Sequence, residues 1–355
     1  MSERTWTVSE ILATTTEFLG KKDPSSPRLD AELLLSRVLK LNRVNLYVNF
    51  ERVLTPQEIN AYRGLIRRRG NHEPVAYILG HKAFYNLDLK VTPATLIPRP
   101  ETEHLVDEAL RLLRKGTRDE KKPSEGLDTI QNVDDELEES REDVLDENVL
   151  DPQAEPLESP KAKKLSPSAS APEATKEEAI EDLGELLVAD IGTGSGAIAL
   201  AILASHPRVK VVASDVSPEA LKVAEENAKI LNLQDRVFFC QGNLAQPLTG
   251  IVFDVICANL PYIPDAHMAT LAPDVGNFEP ELALKGGPDG LDFISALIAT
   301  VKPHLKPGGH LLLEIWPDTV PKLKELTQAA GLIALEPLLD YSSKARIFVA
   351  KNPAS

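Results

Sequence analysis

The chain has 355 residues, 43% of them apolar, with a formal net charge of −15. That length fits more than one folded unit plus a linker, and no apolar run approaches the ~18–20 residues needed to span a bilayer. Cys240 and Cys257 are too few for a disulfide framework or a cysteine-rich metal site, so no metal is expected.

The opening Met1-Ser2-Glu3-Arg4-Thr5-Trp6 lacks the charged-then-apolar layout of a secretory signal, so a reducing cytoplasm is the expected compartment. The acid is concentrated in one place. Residues 117–185 hold 22 Asp and Glu against 8 Lys and Arg, a balance of −14, which leaves −1 for the rest. A near-neutral remainder is not the basic surface that grips phosphates, so no direct nucleic-acid partner is expected.

Residues 7 to about 70 read as helices. Ser26-Pro27 precedes a stretch in which Leu29, Leu33 and Leu34 recur at helical spacing. A second stretch, Pro56 to Arg69, ends in Arg67-Arg68-Arg69-Gly70, the usual composition of a solvated helix end. Ala76 to Val91, with aromatic and branched residues around Gly80 and Asn86-Leu87-Asp88, reads as a β-hairpin. Pro93 to Pro100 is a proline-punctuated loop, and Glu101 opens a helix through about Arg114.

Residues 117–185 contain no aromatic residue and are rich in Glu, Asp, Pro, Ser and Lys. Such a segment cannot bury enough surface to offset its chain entropy, so a disordered insertion is expected. From Leu186 strands and helices alternate. The strands are Leu187 to Asp190, Val209 to Ser214, Val237 to Phe239 and Phe253 to Ala258, then His310 to Ile315 and Arg346 to Ala350. This pattern predicts an α/β doubly wound sheet with an antiparallel edge strand, preceded by a small helical domain and a hairpin. The resulting partition is 1–73, 74–116, 117–185 and 186–355.

Asp190-Ile191-Gly192-Thr193-Gly194-Ser195-Gly196 follows the first strand of the sheet and opens a helix. Glycines there let the backbone approach a ligand closely. Gly192, Gly194 and Ala197 equally satisfy the dinucleotide pattern, and Asp215, ending the next strand, suits ribose hydroxyls of either cofactor type.

Asn259-Leu260-Pro261-Tyr262 follows the fourth strand, where ligands of open α/β sheets bind. Its chemistry suits a nitrogen nucleophile carrying two N–H bonds. The Asn259 side-chain oxygen can accept one hydrogen bond and the Leu260 carbonyl the other. Pro261 stiffens the turn, and the Tyr262 ring can pack on a flat amide or base.

With these motifs the chain resembles the HemK-type family of peptide-chain release-factor glutamine methyltransferases. The resemblance extends to Arg28 to Leu34 and to Leu96-Ile97-Pro98-Arg99-Pro100-Glu101-Thr102-Glu103. It continues through Glu279-Pro280, Ala283-Leu284, Gly286-Gly287 and Asp289-Gly290-Leu291. It implies a Rossmann-like class I methyltransferase that uses S-adenosylmethionine to methylate the glutamine amide in the Gly-Gly-Gln loop of release factors. It also implies that the helical domain helps hold the factor. Gly192, Thr193, Gly194, Ser195, Gly196 and Asp215 would bind the cofactor, Asn243 and Leu244 would flank its adenine, and Asn259 to Tyr262 would hold the glutamine, with Asn259 also contacting the cofactor. Arg99 either shapes the substrate side or forms a salt bridge at the start of the next helix.

Three positions depart from the family pattern. Leu260 stands where proline is usual, but a backbone carbonyl serves equally from leucine. Asn243 replaces aspartate, keeping an acceptor and losing the charge. Trp316-Pro317 follows Glu314-Ile315 where glycine is usual, which alters the loop. Other readings are a ribosomal RNA adenine methyltransferase, which shares the Asn-Leu-Pro-Tyr motif, a nicotinamide-dependent oxidoreductase on the Gly192 loop, and a non-catalytic scaffold. No His or Cys is assigned a catalytic role. His72, His81, His104 and His267 read as surface or packing residues and Cys257 as a small buried strand residue.

Overall fold

Thr7 and Thr55 each stand three residues ahead of a glutamate, Glu10 and Glu58. Both pairs close capping boxes, with the hydroxyl accepting one early N–H and the carboxylate accepting the cap N–H. The computed structural model describes residues 5–22, 25–119, 186–340 and 342–354. The acidic segment expected to be disordered over 117–185 lies, from residue 120 onward, outside the described residues.

Five helices come first: α1 (Val8–Gly20), α2 (Pro27–Leu39), α3 (Arg43–Val48), α4 (Pro56–Gly70) and α5 (Val75–Leu79). They share a core that includes Leu12, Leu34, Leu35, Leu46 and Tyr62. The stripe of α2 differs from the expected one. Ala31, Leu34, Leu35 and Leu39 are buried, whereas Leu29 is 37% exposed.

Two acids of α2 turn inward instead. Glu32 accepts from Arg28 at 2.6 Å, from Arg43 at 2.8 Å and from the Tyr47 hydroxyl at 2.5 Å. Asp30 accepts from Arg69 at 2.7 Å. A buried charge persists only when paired, so the arginine cluster is not wholly a solvated helix end. Arg69 is buried, and only its neighbours Arg67 and Arg68 lie at the surface. Gly70 is the last helical residue, but it serves packing: a Cβ there would sit 3.0 Å from the Phe18 ring.

The hairpin is shorter than expected. Ala76–Leu79 belong to α5, which ends on Gly80 at φ 81°, and β1 (His81–Phe84) pairs antiparallel with β2 (Leu87–Lys90). A β-hairpin needs only the alternation after Gly80; before it, one helical turn satisfies the backbone locally. A 3₁₀ turn, Pro100–Thr102, leads into α6 (Glu103–Asp119), which starts two residues later and ends five residues later than expected.

The sheet follows. Strands β3 (Leu186–Ile191), β4 (Val209–Asp215), β5 (Val237–Gln241), β6 (Phe253–Ala258), β7 (Leu305–Glu314), β8 (Ile333–Ala334), β9 (Leu338–Leu339) and β10 (Ala345–Lys351) run in the order β5-β4-β3-β6-β7-β10-β8, with β9 also on β10. The pairs β3·β4, β4·β5, β3·β6 and β6·β7 are parallel; β10 is antiparallel to β7 and is flanked outside by the short β8 and β9. Alternate residues Val188, Val211, Ala213, Val255, Cys257, Leu312 and Ile347 join the core with α6 and α7 (Ala197–Ser205). All six residues of β3 are buried, as a parallel strand covered on both faces requires. Chain order reverses beside β3, with β4 on one side and β6 on the other, which opens a crevice at the strand carboxyl ends. Among the described residues no helix is long and apolar enough to cross a membrane.

Candidate active site

The glycine loop leaves β3 by a sharp turn. The N–H groups of Gly192 and Thr193 both donate to the Ser214 carbonyl, at 2.8 and 2.9 Å, and the Gly196 N–H donates to Thr193. Gly192, Gly194 and Gly196 all have positive φ, where a side chain is strained. Their surroundings differ. A Cβ on Gly196 would meet Leu200 at 3.0 Å and Ala224 at 3.3 Å, whereas one on Gly194 would meet nothing within 4 Å. Gly196 therefore serves packing, and Gly194 opens onto space.

Asp190 anchors the loop from below. It is fully buried, and its Oδ2 accepts from the Thr193 hydroxyl at 2.7 Å and the Ala199 N–H at 3.1 Å. Burial pushes its carboxyl up to about 6. The folded state thus holds this proton more tightly than the unfolded chain does, so its contribution to stability is present below about pH 4 and lost as pH rises through about 6. Relative to Asp190→Asn, wild-type protein is expected to lose about 3 kcal/mol across that window. Urea unfolding of both proteins from pH 4 to 7.5 measures the difference; a constant gap would contradict the burial argument.

Asp215 closes the other side. Its two oxygens accept from the Gly194 N–H and the Ser217 N–H, each at 2.9 Å, which leaves lone pairs for further donors. Asn227 on α8 (Pro218–Ile230) secures the loop to the hairpin. Its Nδ2 donates to the carbonyls of Ser195 (2.8 Å) and Lys90 (3.0 Å), and its Oδ1 accepts from the Lys90 N–H at 2.7 Å.

Asn259-Leu260-Pro261-Tyr262 leaves β6 beside this loop. A Cβ on Gly192 would lie 3.1 Å from Leu260 Cδ2, so leucine packs directly on the glycine turn. The far side of the turn rests on glycine backbone. A Cβ on Gly286 would meet the Pro261 oxygen at 2.7 Å, and one on Gly290 the Tyr262 oxygen at 2.3 Å. The Gly286-Gly287 and Asp289-Gly290-Leu291 motifs are thereby explained as a buttress.

Glu314, at the end of β7, gathers the turn. Its Oε2 accepts from the Thr102 hydroxyl at 2.6 Å and from Asn259 Nδ2 at 3.0 Å, and its Oε1 accepts from the Tyr262 hydroxyl at 3.0 Å. Burial pushes its carboxyl up, while the Thr102 and Tyr262 hydrogen bonds pull it down. Arg99 pairs with Glu279 from the far segment, not with an acid of the following helix; Glu279 Oε2 also accepts from the Ile97 N–H at 3.2 Å.

A cavity of about 320 Å³ joins these parts, within the range of small-molecule sites. Gly192, Thr193, Gly194, Ser195, Asp215, Asn243, Leu244, Asn259, Leu260, Pro261 and Arg99 all line it; Gly196 and Tyr262 do not. The Tyr262 hydroxyl is bonded to Glu314 instead. Cys257 is buried, which pushes its thiol well up and leaves it a poor nucleophile. His267 stacks on Trp316 with ring centroids 5.7 Å apart, so the departure at Trp316 has a packing partner. Thr102, Asn227, Glu279 and Glu314 were not among the expected site residues. Signals existed for three of them: Thr102 and Glu279 lie in segments that carry the resemblance, and Glu314 is a charge that closes the apolar run Leu311-Leu312-Leu313.

Comparison with known proteins agrees with this geometry. Residues 10–80 match the family described as PrmC N-terminal domain, and residues 178–272 the methyltransferase small domain. The release factor glutamine methyltransferase of Rhodopirellula baltica is 35% identical over 92% of this chain and 89% of its own length. That of Geobacter sulfurreducens is 36% identical over 87% and 84%, and that of Moorella thermoacetica 36% over 91% and 91%. Identity at this level across nearly both lengths, on top of a glycine loop and an Asn-Leu-Pro-Tyr turn sharing one cavity, makes the chain a methyltransferase that belongs to the release factor glutamine methyltransferase family.

Proposed function

We propose that the protein transfers a methyl group from S-adenosylmethionine to the side-chain amide nitrogen of the glutamine in the Gly-Gly-Gln motif of release factors, and so modulates translation termination in the cytoplasm. The observation that carries this reading is the shared cavity: Asn259 and Leu260 line the same space as Gly194 and Asp215. The residues fit the cofactor. Gly194 leaves room where a side chain would intrude, and the Asp215 carboxylate, already holding two backbone N–H groups, keeps acceptor capacity for ribose hydroxyls. Thr193, Ser195, Asn243 and Leu244 complete the cofactor side.

When bound, S-adenosylmethionine supplies an electrophilic methyl group on a sulfonium. The chain supplies position. An amide nitrogen is a poor nucleophile because its lone pair is delocalised into the carbonyl. Asn259 Oδ1 and the Leu260 carbonyl accept its two N–H bonds, hold it in the cavity and favour a more tetrahedral nitrogen. Positioning of this kind contributes up to ~7–11 kcal/mol in well-oriented systems. Pro261 restricts the turn that carries both acceptors. Arg99, held by Glu279, shapes the substrate side. No general base of the chain is needed, since the nitrogen becomes strongly acidic once alkylated and loses its proton to water. Residues 1–73 are the part assigned to holding the release factor, 74–116 the connection, and 186–355 the catalytic unit.

Mass spectrometry of release factor incubated with the protein and S-adenosylmethionine is expected to show one added methyl group, on the Gly-Gly-Gln glutamine. An unmodified glutamine, or a methyl group found on RNA instead, would overturn the proposal.

A further inference from the structure

We infer that Glu314 is a positioning residue for the methyl-accepting amide: it fixes which end of the Asn259 side chain faces the cavity, and Thr102 completes the arrangement. This rests on the reading of Asn259 as an acceptor for that amide.

The side-chain amide of asparagine has two nearly isosteric ends, and only its oxygen can accept a hydrogen bond. Nothing in Asn259 itself selects the orientation. The selection comes from behind. Glu314 Oε2 lies 3.0 Å from Asn259 Nδ2 and the Thr102 hydroxyl oxygen lies 3.2 Å from the same nitrogen. Both carboxyl oxygens already accept hydroxyl protons, Oε2 from Thr102 and Oε1 from Tyr262, so Oε2 faces Asn259 as an acceptor, which attracts the NH₂ end and rejects the oxygen. Oδ1 is left for the cavity, which Asn259 and Thr102 both line.

The carboxylate is itself fixed. Glu314 is 2% exposed and receives the Thr102 hydroxyl at 2.6 Å and the Tyr262 hydroxyl at 3.0 Å. Two of its three partners, Asn259 and Tyr262, come from the turn that follows β6, and the third, Thr102, comes from the 3₁₀ turn Pro100–Thr102. Tyr262, absent from the cavity wall, thus acts through Glu314. The Pro98 to Glu103 segment likewise reaches the reaction through Thr102. A buried carboxylate that only stabilised the fold would not require its partners to include the one side chain whose orientation decides acceptor from donor.

The test compares kcat, KM for release factor and the dissociation constant of S-adenosylhomocysteine in wild type, Asn259→Ala, Glu314→Met, Glu314→Gln, Thr102→Val and the Asn259→Ala/Glu314→Met double variant. Glu314→Met removes the acceptor at similar size. It is expected to lower kcat on the order of 100-fold, with KM and cofactor affinity within about threefold. Glu314→Gln keeps one oxygen for Asn259 and lets the Tyr262 hydroxyl accept, so it is expected to retain kcat within about tenfold. On the Asn259→Ala background Glu314→Met should add almost nothing, because both act through one group.

Wild-type kcat in Glu314→Met overturns the inference, as does a loss that multiplies onto that of Asn259→Ala. Should Glu314→Met fail to fold, Thr102→Val carries the test, with kcat expected to fall about tenfold and unchanged turnover overturning it. Wild-type turnover in Asn259→Ala would instead remove the reading beneath the inference, whatever Glu314→Met does.

Discussion

Asn259→Ala is expected to lower kcat by ~10²–10³-fold or more while S-adenosylhomocysteine still binds with nearly wild-type affinity. The asymmetry follows from where the side chain sits. Cofactor contacts are assigned to the glycine loop after β3, to Asp215 at the end of β4, and to Asn243 and Leu244 after β5, and the truncation leaves these untouched. What is lost is one of two acceptors for the amide, together with the partner of Glu314 and Thr102. Leaving those buried acceptors without the Asn259 N–H costs about 1–3 kcal/mol of stability as well. Rates must therefore be measured where the variant is fully folded. Steady-state kinetics with release factor, paired with calorimetric titration of S-adenosylhomocysteine, separates the two effects. Equal losses in binding and turnover would place Asn259 in the cofactor site alone.

The second large effect is expected at a residue with no side chain of its own. Gly290→Ala places a methyl 2.3 Å from the Tyr262 carbonyl oxygen, at a residue whose φ is 78°. Backbone lies against backbone here, so no side chain can swing aside. The turn carrying Asn259 and Leu260 must shift or the variant must unfold more readily. A destabilisation of about 2–4 kcal/mol is expected, with kcat falling on the order of 100-fold because the two acceptors move together. Gly64→Ala is the matched control. Gly64 lies exposed within α4, a Cβ there meets nothing within 4 Å, and its φ is helical. That change is expected to stabilise by about 0.5–1 kcal/mol and leave turnover alone. Urea unfolding and initial rates on both variants check the pair. Similar stability for Gly290→Ala and wild type would show that the buttress is not needed.

Local patterns carried much of this in the sequence. An apolar run bounded by loop residues located β6 at Phe253–Ala258 without error, and three closely spaced glycines after a buried strand located the sharp positive-φ turn that leaves β3. The Asn-Leu-Pro-Tyr turn follows from β6 by adjacency alone. Pairings between distant residues were not legible. Arg69 reads as part of a solvated helix end because its partner Asp30 is 39 residues away, and only the packing of α2 on α4 brings them together. The stretch from Ala76 to Leu79 reads as strand because its branched and aromatic residues favour either form in so short a run. Gly286 shows no local reason for being glycine; the reason is the Pro261 carbonyl, which belongs to another segment. Glu314 is the strongest case, since its meaning depends on Thr102 and on the turn of Asn259 and Tyr262, two segments far apart in the chain that converge on it.

The most direct test of the account is a crystal structure of the protein with S-adenosylhomocysteine and a release-factor fragment containing the Gly-Gly-Gln glutamine. The account predicts the glutamine amide nitrogen about 3 Å from both Asn259 Oδ1 and the Leu260 carbonyl, with the Asn259 NH₂ turned to Glu314. A glutamine seated elsewhere, or an amide nitrogen facing the Asn259 NH₂, would contradict it.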